Sequence, residues 1–551
     1  MKHEYRSSHG RVRLKPLIWE DAEKMRLLRN HNSSKFFDGK EITAEMQKKW
    51  YQNYLTAKND FMFSVFLRDT DLWVGAVSIY HVDLQNKTGE FGRLLIDKEK
   101  TEQRGLGVDT TQAACKFAFE QLGLKMIYLE VYADNIAALK TYEKSGFKLC
   151  ERRKKENKTS ILYMENKNGK VKSIMSIQVL KPKFHIDECL EQVRECLEKG
   201  WTGSGFKTVE MEQKWKEYTG HANACFLNSN TSGLHLAVNI LKRNFGWADG
   251  DEIISSPITF VSTNHAIMYE NMKPVFADVD EYLCIDPEDV ERKITDKTRA
   301  VIFVGYGGRV GKLDKIIELC KKHGLRLILD AAHMAGTRVN GVFPGTWDGV
   351  DATVYSYQAV KNLPTGDSGM ICFAEEKFDK ECRMVSWMGI NKDTYSRTSN
   401  DGTYKWNYGV DYVGFKYNGN AIMAGIALAQ LPYLDEENAY RRHLCAIYDE
   451  AFAGNDKIQI IGAPYRDECA FHIYEIAVPD REGLLAELAK NDIYGGVHYR
   501  DNTEFSMYTY AQGTCPKAHE ITQHLITMPL HMYLTEDDVR RIARIVNEFV
   551  S

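Results

Sequence analysis

The sequence predicts an α/β protein of two domains, the second built on a mostly parallel sheet. Three observations lead there. The chain has 551 residues, more than one domain of roughly 100–200 residues. A charged, aperiodic stretch, Glu165–Ser173 (ENKNGKVKS), separates an apolar run ending at Met164 from a new pattern beginning near Ile177. A linker at 169–177 then divides residues 1–168 from residues 178–551. Beyond the linker, short β-rich runs alternate with helical stretches, as in parallel strands joined by covering helices.

In the first part, Phe61–Leu67 and Trp73–Tyr80 are apolar and β-rich enough for strands, and Met126–Val131 forms a shorter run. Ala114, Ala118 and Leu122 recur at helical spacing, and the turn Gly105-Leu106-Gly107 stands just before them. In the second part, the strand runs are Ala224–Leu227, Glu252–Ser256, Pro274–Ala277, Ala300–Val304, Arg326–Leu329 and Thr353–Ser356. Leu313–His323 is a helix between two of them. Ligands of such sheets sit at the carboxyl ends of the strands. The polar residues there are Asp330 after RLIL, Ser356 after ATVY with Lys361 five residues on, and Thr231 and Ser232 opening a helix.

Composition narrows the function classes. Hydrophobic residues make up 44% and charged residues 27%, near the soluble globular average. A net charge of −4 gives no reason to expect nucleic acid or an anionic membrane as a partner. The first residues, MKHEYRSSHGRVRLK, lack a secretory apolar region. No apolar run approaches the roughly 20 residues that span a bilayer. The 12 cysteines are scattered, with no CxxC pair and no Cys/His cluster of zinc type. We therefore expect reduced thiols, a cytoplasmic protein and no metal site.

The second part carries GWTGSGFKTVEME, NSNTSGLHLA, PITFVSTNHA, ITDKTRAVIFV, LILDAAHMAG, SYQAVKNLPTGDSG, GFKYNGNAIMAGIALAQL and MPLHMYLTEDDV, in that order. Over almost its whole length it resembles the DegT/DnrJ/EryC1 family of nucleotide-sugar aminotransferases. The resemblance implies a type I fold for pyridoxal 5'-phosphate (PLP), with a smaller C-terminal α/β subdomain. It places the cofactor-holding lysine on Lys361, the carboxylate facing the pyridine nitrogen on Asp330, and the residue near the 3-hydroxyl on His333. Phe260 aligns with the aromatic side chain stacked on the ring. Thr231, Ser232 and Ser356 align with the phosphate cup at a helix N-terminus. Asn418 resembles the residue sent across a dimer interface to the phosphate, which implies a homodimer with shared sites. The chemistry asks for these types: an amine to hold PLP and shuttle a proton, and a carboxylate to keep the ring electron-accepting. Some family relatives carry His in place of the lysine and act as dehydratases; Lys361 argues against that branch.

Three positions depart from the family pattern. Gly305 stands where many members carry His, Asp367-Ser368-Gly369 replaces a paired glycine, and Met384–Tyr408 is longer and divergent. They lie on the expected substrate side, so they bear on sugar specificity.

The first part carries RLKPLIWEDAEKMRLLRNH, GEFGRLLID, EQRGLGVDTTQAACKFAFEQLGL and YLEVYADNIAALKTYEKSGFK. Over about residues 10–165 it resembles GNAT acyltransferases, particularly the ribosomal-protein-acetyltransferase-like branch and amino-sugar acetyltransferases. The resemblance implies a mixed α/β domain that uses acetyl-CoA. Arg104, Gly105 and Gly107 fall in the pyrophosphate-binding turn, Asn135 at a CoA contact, and Tyr142 at the general acid. Glu90 is the candidate base, since the attacking ammonium must lose a proton.

Together the two resemblances imply a bifunctional enzyme. A 4-keto-6-deoxy nucleotide sugar would receive an amine, with glutamate as donor and pyridoxamine phosphate formed in the donor half-reaction. The new amine would then be acetylated. Amination at C3, acetylation of another amine, and a noncatalytic acetyl-CoA-binding or dimerisation role for the first domain remain open at this point.

Overall fold

The structure is a computed structural model and describes residues 2–31, 41–97, 100, 105–154, 160–167, 176–391 and 408–551. The chain divides into two compact units, Met1–Met175 and Ser176–Ser551. Of the expected linker, residues 169–175 lie outside the described residues. Its last residue, Ile177, belongs instead to the second unit: its N–H donates to Asp492 O and its carbonyl accepts from Tyr494 N, both at 2.8 Å. At the other end, Glu165–Lys167 complete a strand. Buried Asn166 donates from Nδ2 to Ser145 O at 2.9 Å there.

Among its described residues, the first unit forms one eight-stranded sheet. In chain order the strands are β1 (Ser7–His9), β2 (Val12–Pro16), β3 (Phe61–Leu67), β4 (Trp73–Asp83), β5 (Thr88–Ile96), β6 (Met126–Tyr132), β7 (Lys148–Lys154) and β8 (Ser160–Lys167). They lie in the order β1-β2-β3-β4-β5-β6-β8-β7. All pairings are antiparallel except β5 with β6. That parallel pairing covers only Thr88–Glu90 against Met126–Tyr128. Beyond it β5 stays with β4 and β6 with β8, so the sheet splays open from Glu90 and Tyr128 onward.

Alternate residues bury opposite faces, as a strand requires. Phe63 and Val65 join Ala114 and Phe117 of the helical segment, while Met62 joins Leu17, Ala22 and Met25. The helix expected through Ala114, Ala118 and Leu122 does not hold one period. The α-helix Leu106–Lys116 passes into a π-turn, Phe117–Gln121, in which Leu122 N donates to Phe117 O at 3.2 Å. Leu106 and Gly107 already lie in its first turn, so only Gly105 is the turn residue.

The second unit carries β9 (Cys225–Leu227), β10 (Glu252–Ser255), β11 (Lys273–Phe276), β12 (Thr298–Val304), β13 (Arg326–Asp330), β14 (Ala352–Ser356) and β15 (Gly369–Phe373). They form a seven-stranded sheet in the order β11-β10-β12-β13-β14-β15-β9. β10 to β14 pair in parallel, and β15 is antiparallel to both its neighbours. β9 therefore runs the same way as β14. The sheet is covered on both faces. Val301, Phe303, Leu327 and Leu329 pack into one core, and Ala300, Ile302 and Ile328 into another. A smaller antiparallel sheet follows, β16 (Gln459–Ile460), β17 (Tyr474–Ala477) and β18 (Leu525–Met528), in that order. The helices Leu434–Phe452 and Glu536–Val550 share its core.

Candidate active sites

The topology brings five chain segments to one edge of the large sheet. β13 ends at Asp330, β14 ends at Ser356, β9 leads into Asn228–Ser232, β10 leads into Pro257–Thr263, and β15 begins at Gly369. Ser229 caps the helix Asn230–Phe245 by accepting from Ser232 N at 3.1 Å. Ser232 Oγ donates to Ser229 O at 2.8 Å. The N–H groups of Asn230 and Thr231, in the first turn, have no acceptor within the helix. Gly369 sits directly beneath this turn: a Cβ there would lie 2.7 Å from Asn230 N and 2.8 Å from Tyr355 O. Ser356, also buried, pairs with Gly369 across β14 and β15, and its Oγ accepts from Gln358 N at 3.4 Å.

Asp330 is buried at the centre of this edge. Its Oδ2 accepts from Thr263 Oγ1 at 2.7 Å, and its Oδ1 from Ala332 N at 3.2 Å and Asn230 Nδ2 at 3.4 Å. Burial raises its pKa above the usual carboxylate value, while the hydrogen bonds from Thr263 and Ala332, and then Lys361, pull it down. Burial lowers Lys361 to about 8, against an opposing pull from Asp330. At about pH 7 such an amine is roughly a tenth unprotonated, a useful state for a nucleophile and proton carrier.

Lys361 Nζ lies 3.4 Å from His472 Nε2. The other nitrogen of His472 is 3.1 Å from Asn362 Oδ1, while Asn362 Nδ2 donates to Asn438 Oδ1 and Ala470 O. The Asn362 oxygen can only accept, so the His472 proton sits on Nδ1 and the Nε2 lone pair faces the lysine. His333 has the opposite tautomer. Its Nδ1 accepts from Gly307 N at 3.1 Å, which leaves Nε2–H to donate to Tyr499 Oη at 3.2 Å. Burial first, and Lys361 second, hold both histidines well below the usual value, so both are neutral. Phe260 is 58% exposed, with its ring 6.1 Å from that of Tyr499. Asn418 bridges to Leu227, just before the Asn228–Ser232 turn, and its Oδ1 is buried without a hydrogen-bond partner. Gly305 has its own cause: a Cβ there would overlap the Met334 thioether.

The structure thus gathers Lys361, Asp330, His333, Ser356, Thr231, Ser232 and Phe260 around one edge. Thr263, Asn230, His472 and Tyr499 join them without having been singled out in sequence. Thr263 had a signal, since it lies three residues from Phe260 in the same post-strand segment. His472 and Tyr499 had none, because they arrive from more than 100 residues away in the chain.

In the first unit, the splayed strands give a second site. Gly105, at φ +88°, opens the helix Leu106–Lys116 with no side-chain cap, and Arg104 lies outside the described residues. A Cβ at Gly107 would meet only the Thr141 side chain, at 3.5 Å, so packing does not demand glycine there. Asn135 Oδ1 caps the helix Ile136–Lys144 by accepting from Ala138 N at 3.2 Å. Tyr142, on that helix, packs edge-on against Phe91 at 5.7 Å. Burial pushes its pKa to about 12, so its hydroxyl keeps its proton at neutral pH. Glu90 precedes Phe91 on β5 and so faces the other side of the sheet. Its Oε1 accepts from Tyr80 Oη at 2.6 Å, and its Oε2 lies 2.9 Å from His81 Nδ1. Glu90 thus points away from the face on which Tyr142 packs against Phe91.

Comparison with known proteins follows the same division. Residues 185–547 match the DegT/DnrJ/EryC1/StrS aminotransferase family, and residues 11–148 match an acetyltransferase (GNAT) domain. The spore coat polysaccharide biosynthesis protein SpsC of Bacillus subtilis is 31% identical over 378 residues, covering 66% of this chain and 94% of SpsC. The PLP form of the sugar aminotransferase Spr1654 from Streptococcus pneumoniae superposes with a TM-score of 0.61 at 26% identity, covering 68% of this chain and 99% of that one. PseC of Helicobacter pylori, an aminotransferase involved in pseudoaminic acid biosynthesis, gives a TM-score of 0.61 at 25% identity, covering 68% of this chain and 98% of its own.

Proposed function

We propose, from the premise that this chain belongs to the DegT/DnrJ/EryC1/StrS aminotransferase family, that it aminates a 4-keto-6-deoxy nucleotide sugar and then acetylates the new amine. The observation that carries the first activity is Lys361: a half-buried side chain whose amine is lowered to about 8 by burial and faces the unprotonated Nε2 of His472.

The residues present fit PLP. The first-turn N–H groups of Asn230 and Thr231, which have no acceptor within the helix, suit a phosphate, and Gly369 lets that turn seat closely on β15. Lys361 would hold the cofactor, with Asp330 toward the ring nitrogen, oriented by Thr263 and Asn230. His333 would donate from Nε2–H near the 3-hydroxyl, and Phe260 would cover one ring face. Thr231, Ser232 and Ser356 would hold the phosphate, with Asn418 contributed by a second copy in a homodimer. When bound, PLP supplies an electron-accepting ring that carries the amino group from donor to sugar. The protein's part is proton movement and exclusion of water. Lys361 takes and returns the proton at the reacting carbon, and His472 Nε2 stabilises its protonated form by accepting a hydrogen bond. Glutamate is the proposed donor.

In the first unit, acetyl-CoA would lie in the splay between β5 and β6. The first-turn N–H groups after Gly105, together with Arg104, would meet its pyrophosphate, and Asn135 its pantetheine arm. A glycine that packing does not demand, Gly107, supports a close approach of ligand to backbone. Tyr142 would protonate the leaving thiolate; Glu90, on the other face of the sheet, would accept the ammonium proton through water rather than directly. A second reading has one observation in its favour: both Glu90 oxygens are already engaged, by Tyr80 and His81. On that reading the first unit binds acetyl-CoA without transferring the acetyl group.

The site of action would be the cytoplasm, and the product would feed surface polysaccharide or glycan synthesis. Mass spectrometry of nucleotide 4-keto and 3-keto sugars, incubated with PLP and glutamate with and without acetyl-CoA, tests the proposal. An amine without acetyl-CoA and an acetamido group with it are expected. Amination that never proceeds to acetylation supports the second reading, and no amination of any keto sugar refutes the first.

A further inference from the structure

Away from Lys361, three ligand-type atoms converge beside the segment that carries Tyr499. Asp501, Glu504 and His519 offer one atom each, all within 4.8 Å of one another. Asp501 caps the turn Asn502–Glu504 and Glu504 ends it, and His519 projects from the helix Pro516–His524. His519 Nδ1 lies 3.4 Å from Asp501 Oδ2 and 3.4 Å from Glu504 Oε1.

Each carboxylate is already anchored through its other oxygen. Asp501 Oδ1 accepts from Thr503 N at 2.9 Å and from Thr503 Oγ1 at 2.8 Å. Glu504 Oε2 accepts from Arg500 Nε at 2.6 Å. The oxygens left over are the two that face His519. Asp501 is 1% exposed, yet its Oδ2 accepts no hydrogen bond. Leaving a buried carboxylate oxygen without a donor is unfavourable unless a cation completes it. The arrangement is that of a metal shell, in which outer donors orient each ligand. Metal bonds of about 2.1 Å in a tetrahedron set ligand atoms about 3.4 Å apart, the length of both edges at His519.

We propose that Asp501, Glu504 and His519 bind one divalent transition-metal ion of the zinc class, with water completing the shell. One imidazole and two carboxylates suit zinc better than calcium or magnesium, which take six or more oxygens. A protonated His519 bridging two carboxylates is the rival arrangement. It gives Asp501 Oδ2 an ion pair at 3.4 Å but no hydrogen bond.

The ion's place gives it a structural consequence. Asn502, between the two carboxylates, donates from N to Pro257 O at 2.8 Å and from Nδ2 to Thr259 O at 2.9 Å. Its Oδ1 accepts from Asn264 Nδ2 at 3.0 Å. These bonds hold the segment that bears Phe260 and Thr263. An ion joining Asp501 and Glu504 to His519 stiffens that wall without touching a reacting atom.

The test uses the full-length, PLP-loaded protein, stripped of metal by a chelator and titrated with zinc chloride in a calorimeter, beside His519→Ala and Glu504→Gln. We expect one equivalent per chain for the wild type, and an affinity at least about tenfold lower in each variant. Zinc should raise the melting temperature of the wild type more than that of either variant at the same concentration, and the metal-free proteins should melt together. If His519→Ala melts early without metal, Glu504→Gln carries the comparison. Equal zinc affinity and stoichiometry in all three proteins would overturn the site, as would a wild type that takes up no stoichiometric zinc. Calcium bound at these residues in preference to zinc would overturn the choice of ion.

Discussion

Replacing Lys361 by Met should stabilise the cofactor-free protein while abolishing transamination. Burial lowers the Lys361 pKa from 10.5 to about 8. At about 1.4 kcal/mol per unit, the buried ammonium costs on the order of 3 kcal/mol of folding stability wherever it is charged in both states. The sign follows from proton counts. Below about pH 8 both folded and unfolded chains hold the proton, and the full cost is present. Between about 8 and 10.5 the unfolded chain holds more protons, so the wild type gains stability as pH rises. Met fills similar volume and carries no charge. Urea unfolding of the cofactor-free proteins should therefore show the variant more stable by about 1–3 kcal/mol at pH 7, with the gap closing toward pH 10.5. A variant that is no more stable than wild type at pH 7, or a gap that does not change with pH, would refute the account of this amine as buried and held partly unprotonated.

Other substitutions probe the surrounding shell. Arg309→Met leaves Glu475 in place of a fully buried pair at 2.9 Å; a loss of about 3–5 kcal/mol in chemical denaturation is expected. Gly369→Ala drives a methyl into Asn230 N and Tyr355 O, so PLP titration by fluorescence should show at least about tenfold weaker binding, with a stability loss of about 1–3 kcal/mol. Tyr142→Phe should slow acetyl transfer by about 100-fold or more, with amination unchanged in the same assay; undiminished acetylation would remove Tyr142 from the acid role.

Much of the architecture is legible from local pattern. Phe61–Leu67 reads as a strand because its residues are apolar and β-rich, and Leu313–His323 ends where Gly324 adopts the left-handed cap. β15 is the contrast. Gly-Met-Ile-Cys-Phe has the apolar run of a buried strand, but its direction depends on pairing with β14 and β9, which no local pattern encodes. Asp330 and Lys361 are legible because the topology rule points to strand ends. His472 is not, since a buried neutral histidine looks like core until Asn362 and Lys361 are seen on either side of it. The same holds for Asp501, Glu504 and His519, whose spacing follows no compact ligand motif. The π-turn at Phe117–Gln121 shows a smaller failure, in which the right apolar residues belong to two helical periods.

The most direct test of the central claim is covalent. The purified protein, with PLP bound, would be reduced with borohydride, digested and mapped by mass spectrometry. The account predicts that the reduced cofactor is found on the peptide containing Lys361, and that Lys361→Met carries none. Cofactor attached at another lysine, or no attachment despite stoichiometric PLP, would contradict it.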